Sequence, residues 1–350
     1  MTKKVSVGNI FIGGGESVKI QTMSDVKTTC VDKIVEQIEE VSLLGCDLFR
    51  VAVKNFDDAK AIKQIKNRTK MPIVADIHFD YKLGIEAINN GVDKIRINPG
   101  NIGADANLEA LVKVIKANNV AVRVGSNTGS IEKEYLEKYG KSAAALAESA
   151  LKKVSLLERH GVDNIVISAK ASSASLTAQT YRYLSQKTNY PLHLGVTEAG
   201  TLENGVVKSS VAMGALLLDG IGDTIRVSLT APIAQEIITA KRILRAVGLD
   251  KNYAEVISCP TCGRTAWDLQ SLVKEVEAFT AKYDKPFKIA VMGCVVNGPG
   301  EAKDCDIGIA GGDGKCVIFK KGEVYKTLAF GEHKQEFLSE IEKLYNEKHN

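Results

Sequence analysis

Short apolar runs alternate with longer amphipathic segments along roughly the first 250 residues of the chain. The runs are rich in Val, Ile and Leu, which is typical of buried strands, while the segments between them repeat apolar residues at helical spacing. The pattern predicts strands near residues 18–23, 47–53, 72–77, 92–97, 120–125, 162–168, 191–197 and 222–228. It predicts helices near residues 31–44, 57–68, 80–90, 105–118, 132–160 (interrupted near Gly140), 173–187, 202–218 and 232–247.

Eight strand-helix units in succession are what a (β/α)8 TIM barrel requires. A doubly wound open sheet is the competing α/β architecture, and the barrel is favoured because the repeat ends at eight units. Ahead of the repeat, residues 5–12 alternate in polarity and predict a hairpin, and the triple glycine that follows predicts a turn. We therefore expect a TIM-barrel domain over residues 1–250.

The pattern changes after Gly248. Strands are predicted near residues 254–258, 288–292, 306–310, 315–320 and 323–329, with helices near 265–282 and 333–347. This mixture of elements predicts a small α+β domain over residues 251–350.

Composition and charge narrow the function only slightly. The net charge of +4 over 350 residues is too small to predict nucleic-acid binding. Seven cysteines are too few for a disulfide scaffold of this size, and an odd number leaves at least one thiol unpaired, which suits a reducing compartment. The N-terminal segment predicts neither a signal peptide nor a membrane helix, so we expect a cytoplasmic protein that binds neither nucleic acid nor membranes.

Polar side chains cluster at the predicted strand ends, where a barrel carries its catalytic groups. They are Arg50, Asp76, His78, Arg96, Asn98, Arg123, Asn127, Ser168, Lys170, His193, Thr197, Arg226 and Ser228. Five of them are permanent cations with few acids to neutralise them, and arginine forks match phosphate oxygens in pairs. The set predicts a compact anionic ligand such as a diphosphate. Glu198 directly follows a predicted strand and is a candidate catalytic acid on the same rim.

The second domain contains a pattern typical of metal ligands. Cys259 and Cys262 have C-x2-C spacing, and Cys294 follows the strand near residues 288–292. Gly298-Pro-Gly300 bends the chain, so Glu301 can reach the same point. An iron-sulfur cluster with three thiolates and one weaker ligand fits this set, and a structural zinc site is the alternative.

Several phrases, in order along the chain, resemble the 4-hydroxy-3-methylbut-2-enyl diphosphate synthase family of the methylerythritol phosphate route to isoprenoids. They are Asp76-Ile-His78, Arg96-Ile-Asn-Pro-Gly-Asn-Ile-Gly103, Leu194-Gly-Val-Thr-Glu-Ala-Gly200, Gly220-Ile-Gly-Asp-Thr-Ile-Arg-Val-Ser228, Cys259-Pro-Thr-Cys-Gly-Arg-Thr265 and Gly293-Cys-Val-Val-Asn-Gly-Pro-Gly-Glu301. The chain looks like the compact bacterial form, since no further domain separates the two.

The resemblance implies a 4Fe-4S cluster held by Cys259, Cys262 and Cys294, with Glu301 as the fourth ligand and a participant in catalysis. It implies 2-C-methyl-D-erythritol 2,4-cyclodiphosphate as the substrate, bound by the cations and polar groups of the strand ends. Reduced flavodoxin or ferredoxin would supply two electrons. Glu198 or His78 would deliver the proton that lets hydroxyl leave as water.

Some alternatives remain at this stage. Cys305 lies only four residues beyond Glu301 and could replace it as a ligand. A different barrel enzyme with a structural cluster is one rival function, and a non-enzymatic iron-sulfur carrier is another. The helix near 232–247 carries the chain away from the catalytic face, and the linker is short, so we also expect a homodimer with sites shared between subunits.

Overall fold

The computed structural model describes residues 1–265, 267–294, 298–312 and 314–349, without the side chains of Pro299 and Glu301. The chain divides into two compact units, Met1–Leu249 and Asp250–Asn350. Among the described helices, none combines the length and the apolar character that crossing a membrane requires.

Within residues 1–249, all of which are described, eight parallel strands form a barrel. Numbered after two preceding hairpin strands, they are Lys19–Met23 (β3), Leu48–Ala52 (β4), Ile73–Asp76 (β5), Lys94–Ile97 (β6), Ala121–Asn127 (β7), Ile165–Lys170 (β8), His193–Leu194 (β9) and Thr224–Ile225 (β10). They are hydrogen-bonded in the order β8-β7-β6-β5-β4-β3-β10-β9, and a bridge between Ile167 and Leu192 joins the two ends of that order. The predicted TIM barrel is confirmed.

Helices cover the outside of the barrel, one or more after each strand. They are Val31–Leu43 (α1), Phe56–Lys66 (α2), Tyr81–Asn89 (α3), Asp105–Asn118 (α4), Lys133–Tyr139 (α5), Ala143–Arg159 (α6), Ala174–Lys187 (α7), Leu202–Leu218 (α8) and Ile233–Ala246 (α9). Short 3-10 turns at Pro99–Asn101 and Thr128–Ser130 follow β6 and β7. The outward strand residues, such as Phe49, Ile95 and Ile167, pack against these helices and form the main core.

A hairpin of β1 (Val5–Val7) and β2 (Ile10–Ile12) closes the amino-terminal end of the barrel. Its apolar side chains pack on the lowest inward residues of four strands, which are Leu48, Val74, Ala121 and Val166. The polar interior is therefore sealed at one end by apolar contacts.

The second unit is a five-stranded sheet with helices. Its strands are Ala254–Ser258 (β11), Phe287–Met292 (β12), Ile307–Gly312 (β13), Lys315–Lys320 (β14) and Glu323–Ala329 (β15), and its helices are Leu269–Thr280 (α10), Gly298–Glu301 (α11) and His333–His349 (α12). β11, β12 and β13 are parallel, while β14 and β15 continue antiparallel. Phe287, Leu272 and Phe337 lie in its core, and Tyr283 stacks on Tyr345 with ring centroids 3.8 Å apart.

Candidate functional site

The register of the barrel strands arranges the inward side chains in layers, each drawn from alternate strands. Such layers normally contain Val, Ile and Leu, but most of these are polar or charged. From the hairpin end upward, they contain Leu48, Lys94, Val166 and Thr224; Gln21, Val74, Arg123 and His193; Arg50, Arg96, Ser168 and Arg226; and Met23, Asp76, Gly125 and Gly195.

Asp76, at the end of β5, is the centre of a charged network. Its Oδ2 lies 2.6 Å from Arg50 Nη2 and 3.0 Å from His78 Nε2, and its Oδ1 lies 3.3 Å from Arg96 Nη1. Burial alone would raise the pKa of Asp76, but Arg50, Arg96 and His78 outweigh burial and hold the pKa well below its usual range. The carboxylate therefore fixes two arginines and orients His78, whose side chain is 55% exposed.

The remaining inward cations have much less compensation. Arg123 is 2% exposed, and its Nε and Nη1 have no hydrogen-bond partner in the described chain. Burial, then the neighbouring cations, lower the pKa of Arg123 and of Lys170. Arg226 Nε lies 3.8 Å from Glu236 Oε2, and burial lowers the pKa of Arg226 despite that carboxylate. Positive charge thus exceeds negative charge inside the barrel.

Two glycines make room for these cations. A Cβ on Gly125 of β7 would lie 2.5 Å from Arg96 Nε, and a Cβ on Gly195 would lie 2.5 Å from Lys170 Nζ. The same Cβ on Gly195 would lie 2.7 Å from the backbone oxygen of Arg226, so β9 and β10 approach closely there. The mouth of the barrel is therefore shaped to hold cationic side chains rather than a packed apolar layer.

The other predicted residues lie where the strands give way to loops. Asn98 is buried and caps the turn after β6, where its Oδ1 accepts from Gly100 N at 3.2 Å. Asn127 is exposed at the end of β7, while Thr197 and Ser228 are partly exposed. Glu198 is exposed and has a φ of 54°, a strained value for a residue other than glycine. No hydrogen bond or ion pair between described residues joins the Glu198 carboxylate to the Asp76 network.

Two interior lysines were missed by the sequence analysis. Lys94 has the same inward parity as Arg96 in β6, so strand alternation could have identified it. Lys153 lies on helix α6, where no strand pattern applies, and its Nζ donates to Ser126 Oγ at 3.1 Å and to the Ser130 carbonyl oxygen at 2.9 Å. Both add positive charge close to Arg96 or Arg123.

The pairing of β11 with β12 places two of the three predicted ligand cysteines at the same edge of the sheet. β11 and β12 are neighbours, with Ser258 paired to Val291, so Cys259 and Cys294 both follow the carboxyl end of their strands. The Gly293 N–H donates to Cys259 Sγ at 3.1 Å. This hydrogen bond fixes the Cys259 sulfur beside the loop that leads to Cys294.

Thr265 links the backbone of Cys262 to the chain at Gly293, next to Cys294. The Cys262 N–H donates to Thr265 Oγ1 at 3.4 Å, and a Cβ on Gly293 would lie 2.6 Å from that oxygen. Hydrogen bonds from the backbone and then the side chain of Arg264 lower the pKa of the exposed Cys262 thiol. The chemical surroundings of Cys262 are therefore suitable for a thiolate that binds a metal centre.

The described residues do not complete a metal site. No three of their His, Cys, Asp and Glu side chains lie close enough together to hold a metal ion. The side chain of Glu301, the predicted fourth ligand, lies outside the described residues. Cys305 is 3% exposed among apolar side chains such as Met292 and Phe319, and burial raises its pKa, so its surroundings are those of a structural thiol.

Comparison with known proteins identifies the family. The model described as the GcpE TIM-barrel domain matches residues 2–241, and the model described as the GcpE protein C-terminal domain matches residues 255–343. Two curated relatives are called 4-hydroxy-3-methylbut-2-en-1-yl diphosphate synthase (flavodoxin). The one from Caldanaerobacter subterraneus subsp. tengcongensis is 53% identical over 348 residues, 99% of this chain and 98% of the relative. The one from Clostridium perfringens is 52% identical over 342 residues, 97% and 98% respectively.

Solved structures with low sequence identity share the barrel fold alone. Dihydropteroate synthase from Yersinia pestis has a TM-score of 0.53 at 11% identity, covering 70% of this chain and 99% of that one. A truncated 3-deoxy-D-arabino-heptulosonate 7-phosphate synthase from Thermotoga maritima has a TM-score of 0.51 at 14% identity, covering 71% and 94%. The family assignment rests on the full-length matches instead. The chain belongs to the GcpE family of 4-hydroxy-3-methylbut-2-en-1-yl diphosphate synthases.

Proposed function

We propose that the two units divide one reaction, with the barrel binding the substrate and the C-terminal unit holding a 4Fe-4S cluster. The reaction is that of the family: reductive ring opening and dehydration of 2-C-methyl-D-erythritol 2,4-cyclodiphosphate to 4-hydroxy-3-methylbut-2-enyl diphosphate, in isoprenoid precursor biosynthesis. The observation that carries the division is the excess of cations inside the barrel, which a diphosphate would neutralise.

The barrel residues bind and orient the anionic end of the substrate. Arg50 and Arg96 are held by Asp76, so their forks are fixed before binding, which lowers the entropic cost of holding phosphate oxygens. Arg123, Lys170 and Arg226 supply charge that no carboxylate fully compensates. As the ring opens, a phosphate oxygen becomes the leaving group, and these cations stabilise its negative charge. Asn98, Asn127, Ser168, Thr197 and Ser228 supply neutral polar groups around the same mouth.

Two residues are the candidates for protonating the departing hydroxyl. His78 is half exposed, and its Nε2 lies 3.0 Å from Asp76 Oδ2, so Asp76 orients the imidazole ring at the end of β5. Glu198 follows β9 in a strained loop conformation, and such strain often marks a residue held in place for function. Both would act as general acids at the mouth of the barrel.

Cys259, Cys262 and Cys294 would hold the cluster, with Glu301 as the fourth ligand. When bound, the cluster supplies the two electrons of the reaction, one at a time. The Gly293 N–H positions the Cys259 sulfur, and hydrogen bonds from Arg264 lower the pKa of Cys262, which favours its thiolate. Trp267 donates from Nε1 to the Gly293 carbonyl oxygen at 3.2 Å and holds the ligand loop against the sheet edge.

Flavodoxin is the electron donor named for the relatives, and a ferredoxin is the alternative carrier. Reduced thiols are needed as cluster ligands, which supports a cytoplasmic location. A homodimer with shared sites is supported by chain length. Helix α9 is 14 residues long and ends at Ala246, and the residues from Gly248 to Tyr253 span at most about 20 Å before β11 begins.

Anaerobic purification, followed by iron and sulfide counting and turnover with the cyclic diphosphate, tests this proposal. Cys259→Ser, Cys262→Ser and Cys294→Ser should lose the cluster and the activity. Cys305→Ser and Cys316→Ser are the matched controls and should retain both, because those thiols are buried in apolar cores. A cluster that survives all three ligand changes would overturn the ligand assignment. Cluster transfer to an acceptor protein without any diphosphate turnover would support a carrier instead.

A further inference from the structure

Beneath the cations at the mouth of the barrel lies a second group of buried polar side chains, which we call the deep polar cluster. It consists of Gln21, Lys94, Arg123 and His193, whose exposed fractions are 1%, 0%, 2% and 0%. These residues come from four strands and two adjacent layers, so their side chains converge on the barrel axis. Of the four, only Arg123 belongs to the proposed substrate site.

The deep polar cluster contains many hydrogen-bond donors and few acceptors. Within the described chain, no partner is found for Lys94 Nζ, His193 Nε2, Nε and Nη1 of Arg123, or either amide atom of Gln21. His193 Nδ1 lies 2.6 Å from Thr224 Oγ1, so that hydroxyl occupies the other ring nitrogen. A buried donor without a partner costs roughly 1–3 kcal/mol, so a folded protein does not leave several of them unused in one place.

The charge of the deep polar cluster is also uncompensated. Burial, followed by Arg123 and Arg50, lowers the pKa of Lys94, which shows that these cations lie within electrostatic range of one another. The nearby carboxylates are already engaged. Asp76 holds Arg50, Arg96 and His78 in the layers above, and Glu236 accepts from Thr22 at 2.6 Å and faces Arg226.

The surroundings restrict what can fill such a site. Leu48, Val74 and Val166 lie beside and below the cluster and pack on the hairpin, so the space is closed on the amino-terminal side by apolar groups. A water molecule could accept some of the hydrogen bonds, but it would leave the positive charge unbalanced. A small, weakly hydrated anion meets both requirements.

We propose that the deep polar cluster binds one monovalent inorganic anion of halide size, such as chloride, beneath the substrate. The anion accepts hydrogen bonds from Lys94, Arg123 and His193 or Gln21, and it favours the charged form of Lys94. It also holds the Arg123 guanidinium from below, so that its outer nitrogen is presented to the diphosphate. The anion takes no part in the reaction itself, so the proposed function would stand even if no anion were found there.

Anomalous diffraction from a crystal of the full-length protein containing bromide tests the site directly. We expect one bromide peak within hydrogen-bond distance of Lys94 Nζ and Arg123 Nε, in the absence of substrate. Ordered waters alone at that position, with bromide found only at the mouth of the barrel, would overturn the proposal.

Thermal unfolding in chloride and in gluconate at equal ionic strength provides a second test, since gluconate is too large for the closed site. Chloride should raise the melting temperature of the wild type relative to gluconate, because a ligand of the native state stabilises it by mass action. The difference should disappear in Lys94→Met and persist in Lys170→Met, which removes a cation from the upper layers instead. If both variants keep the chloride effect, chloride acts elsewhere on the protein and the deep site is rejected. If both lose it, the deep site is rejected in favour of a halide site among the cations at the mouth of the barrel.

Discussion

The arginines inside this barrel differ in whether a carboxylate pairs with them. Arg50 and Arg96 are paired with Asp76, whereas Arg123 is fully buried with two nitrogens that have no partner in the described chain. A paired cation contributes to the stability of the empty barrel, while an unpaired buried cation lowers it. On the proposed function, Arg50 and Arg96 therefore serve both stability and ligand binding, whereas Arg123 serves ligand binding alone.

Arg123→Met should leave the free energy of unfolding of the unliganded protein unchanged or raise it, because it removes an uncompensated buried charge. It should weaken inorganic diphosphate binding roughly 10- to 100-fold, the loss of one charge-assisted contact of about 1.5–3 kcal/mol. Arg50→Met is the comparison. It should lose affinity and also lose about 1–3 kcal/mol of stability, because Asp76 loses its 2.6 Å partner. Equal destabilisation of the unliganded protein by both changes, in urea titrations, would contradict this view.

The lowered pKa of Lys170 predicts whether diphosphate binding takes up or releases protons. Burial, then Arg123 and Arg226, hold its pKa well below the ordinary 10.5. A bound diphosphate adds negative charge and raises that pKa again, so binding takes up protons at pH values between the lowered pKa and 10.5. Calorimetry in two buffers of different ionisation enthalpy measures the uptake. It should be smaller in Lys170→Met than in wild type and unchanged in Lys60→Met, a control on the exposed side of α2. Proton release on binding would contradict the sign.

Two glycines lie in or next to barrel strands at positions where a larger side chain would collide with its neighbours. β9 and β10 have two residues each, although longer strands were predicted at 191–197 and 222–228. Gly195 lies at the end of β9 where the backbone of Arg226 comes close, and Gly125 of β7 faces Arg96. A Cβ on Gly195 would meet a backbone oxygen as well as the Lys170 side chain, whereas a Cβ on Gly125 would meet only the Arg96 side chain.

Alanine at these positions should separate the two effects. Gly195→Ala should destabilise the protein by about 1–3 kcal/mol, because its Cβ would meet a backbone oxygen that cannot move alone. Gly125→Ala should be nearly neutral for stability, since Arg96 can rotate away, but it should weaken diphosphate binding about tenfold. Melting temperature and diphosphate titration check both. Gly125→Ala with unchanged affinity would mean that the position of Arg96 is unimportant.

Much of this architecture could be predicted because its signals are local. The twofold alternation within β4, β6 and β7 placed Arg50, Arg96 and Arg123 inside the barrel, as the structure shows. The features that the sequence did not predict depend on tertiary contacts. Nothing in the pattern of α6 distinguishes Lys153, since a helical residue reaches the barrel mouth only through the packing of its helix. The contact of Cys259 with Gly293 likewise depends on the pairing of β11 with β12, which local patterns do not specify.

At the scale of the whole molecule, the proposed dimer makes a prediction that separates shared from single-chain sites. An inactive Glu198→Gln chain is mixed with an inactive Cys294→Ser chain under conditions that exchange subunits. If barrel and cluster of different subunits form one site, each heterodimer has one intact site, and about a quarter of wild-type activity should return on statistical mixing. No recovery, despite exchange demonstrated by differently tagged chains, would reject the shared arrangement.

The uncompensated charge inside the barrel also bears on how long the enzyme persists in a cell. Mutual repulsion among Arg123, Lys170 and Lys94 weakens the unliganded fold, and a cyclic diphosphate bound as we propose would stabilise only the native barrel. Cellular proteases remove proteins in proportion to their unfolded population when unfolding and refolding are fast. Cells that lack the precursor would therefore degrade this enzyme faster than cells that accumulate it, so that supply of the metabolite sets the lifetime of the catalyst that consumes it.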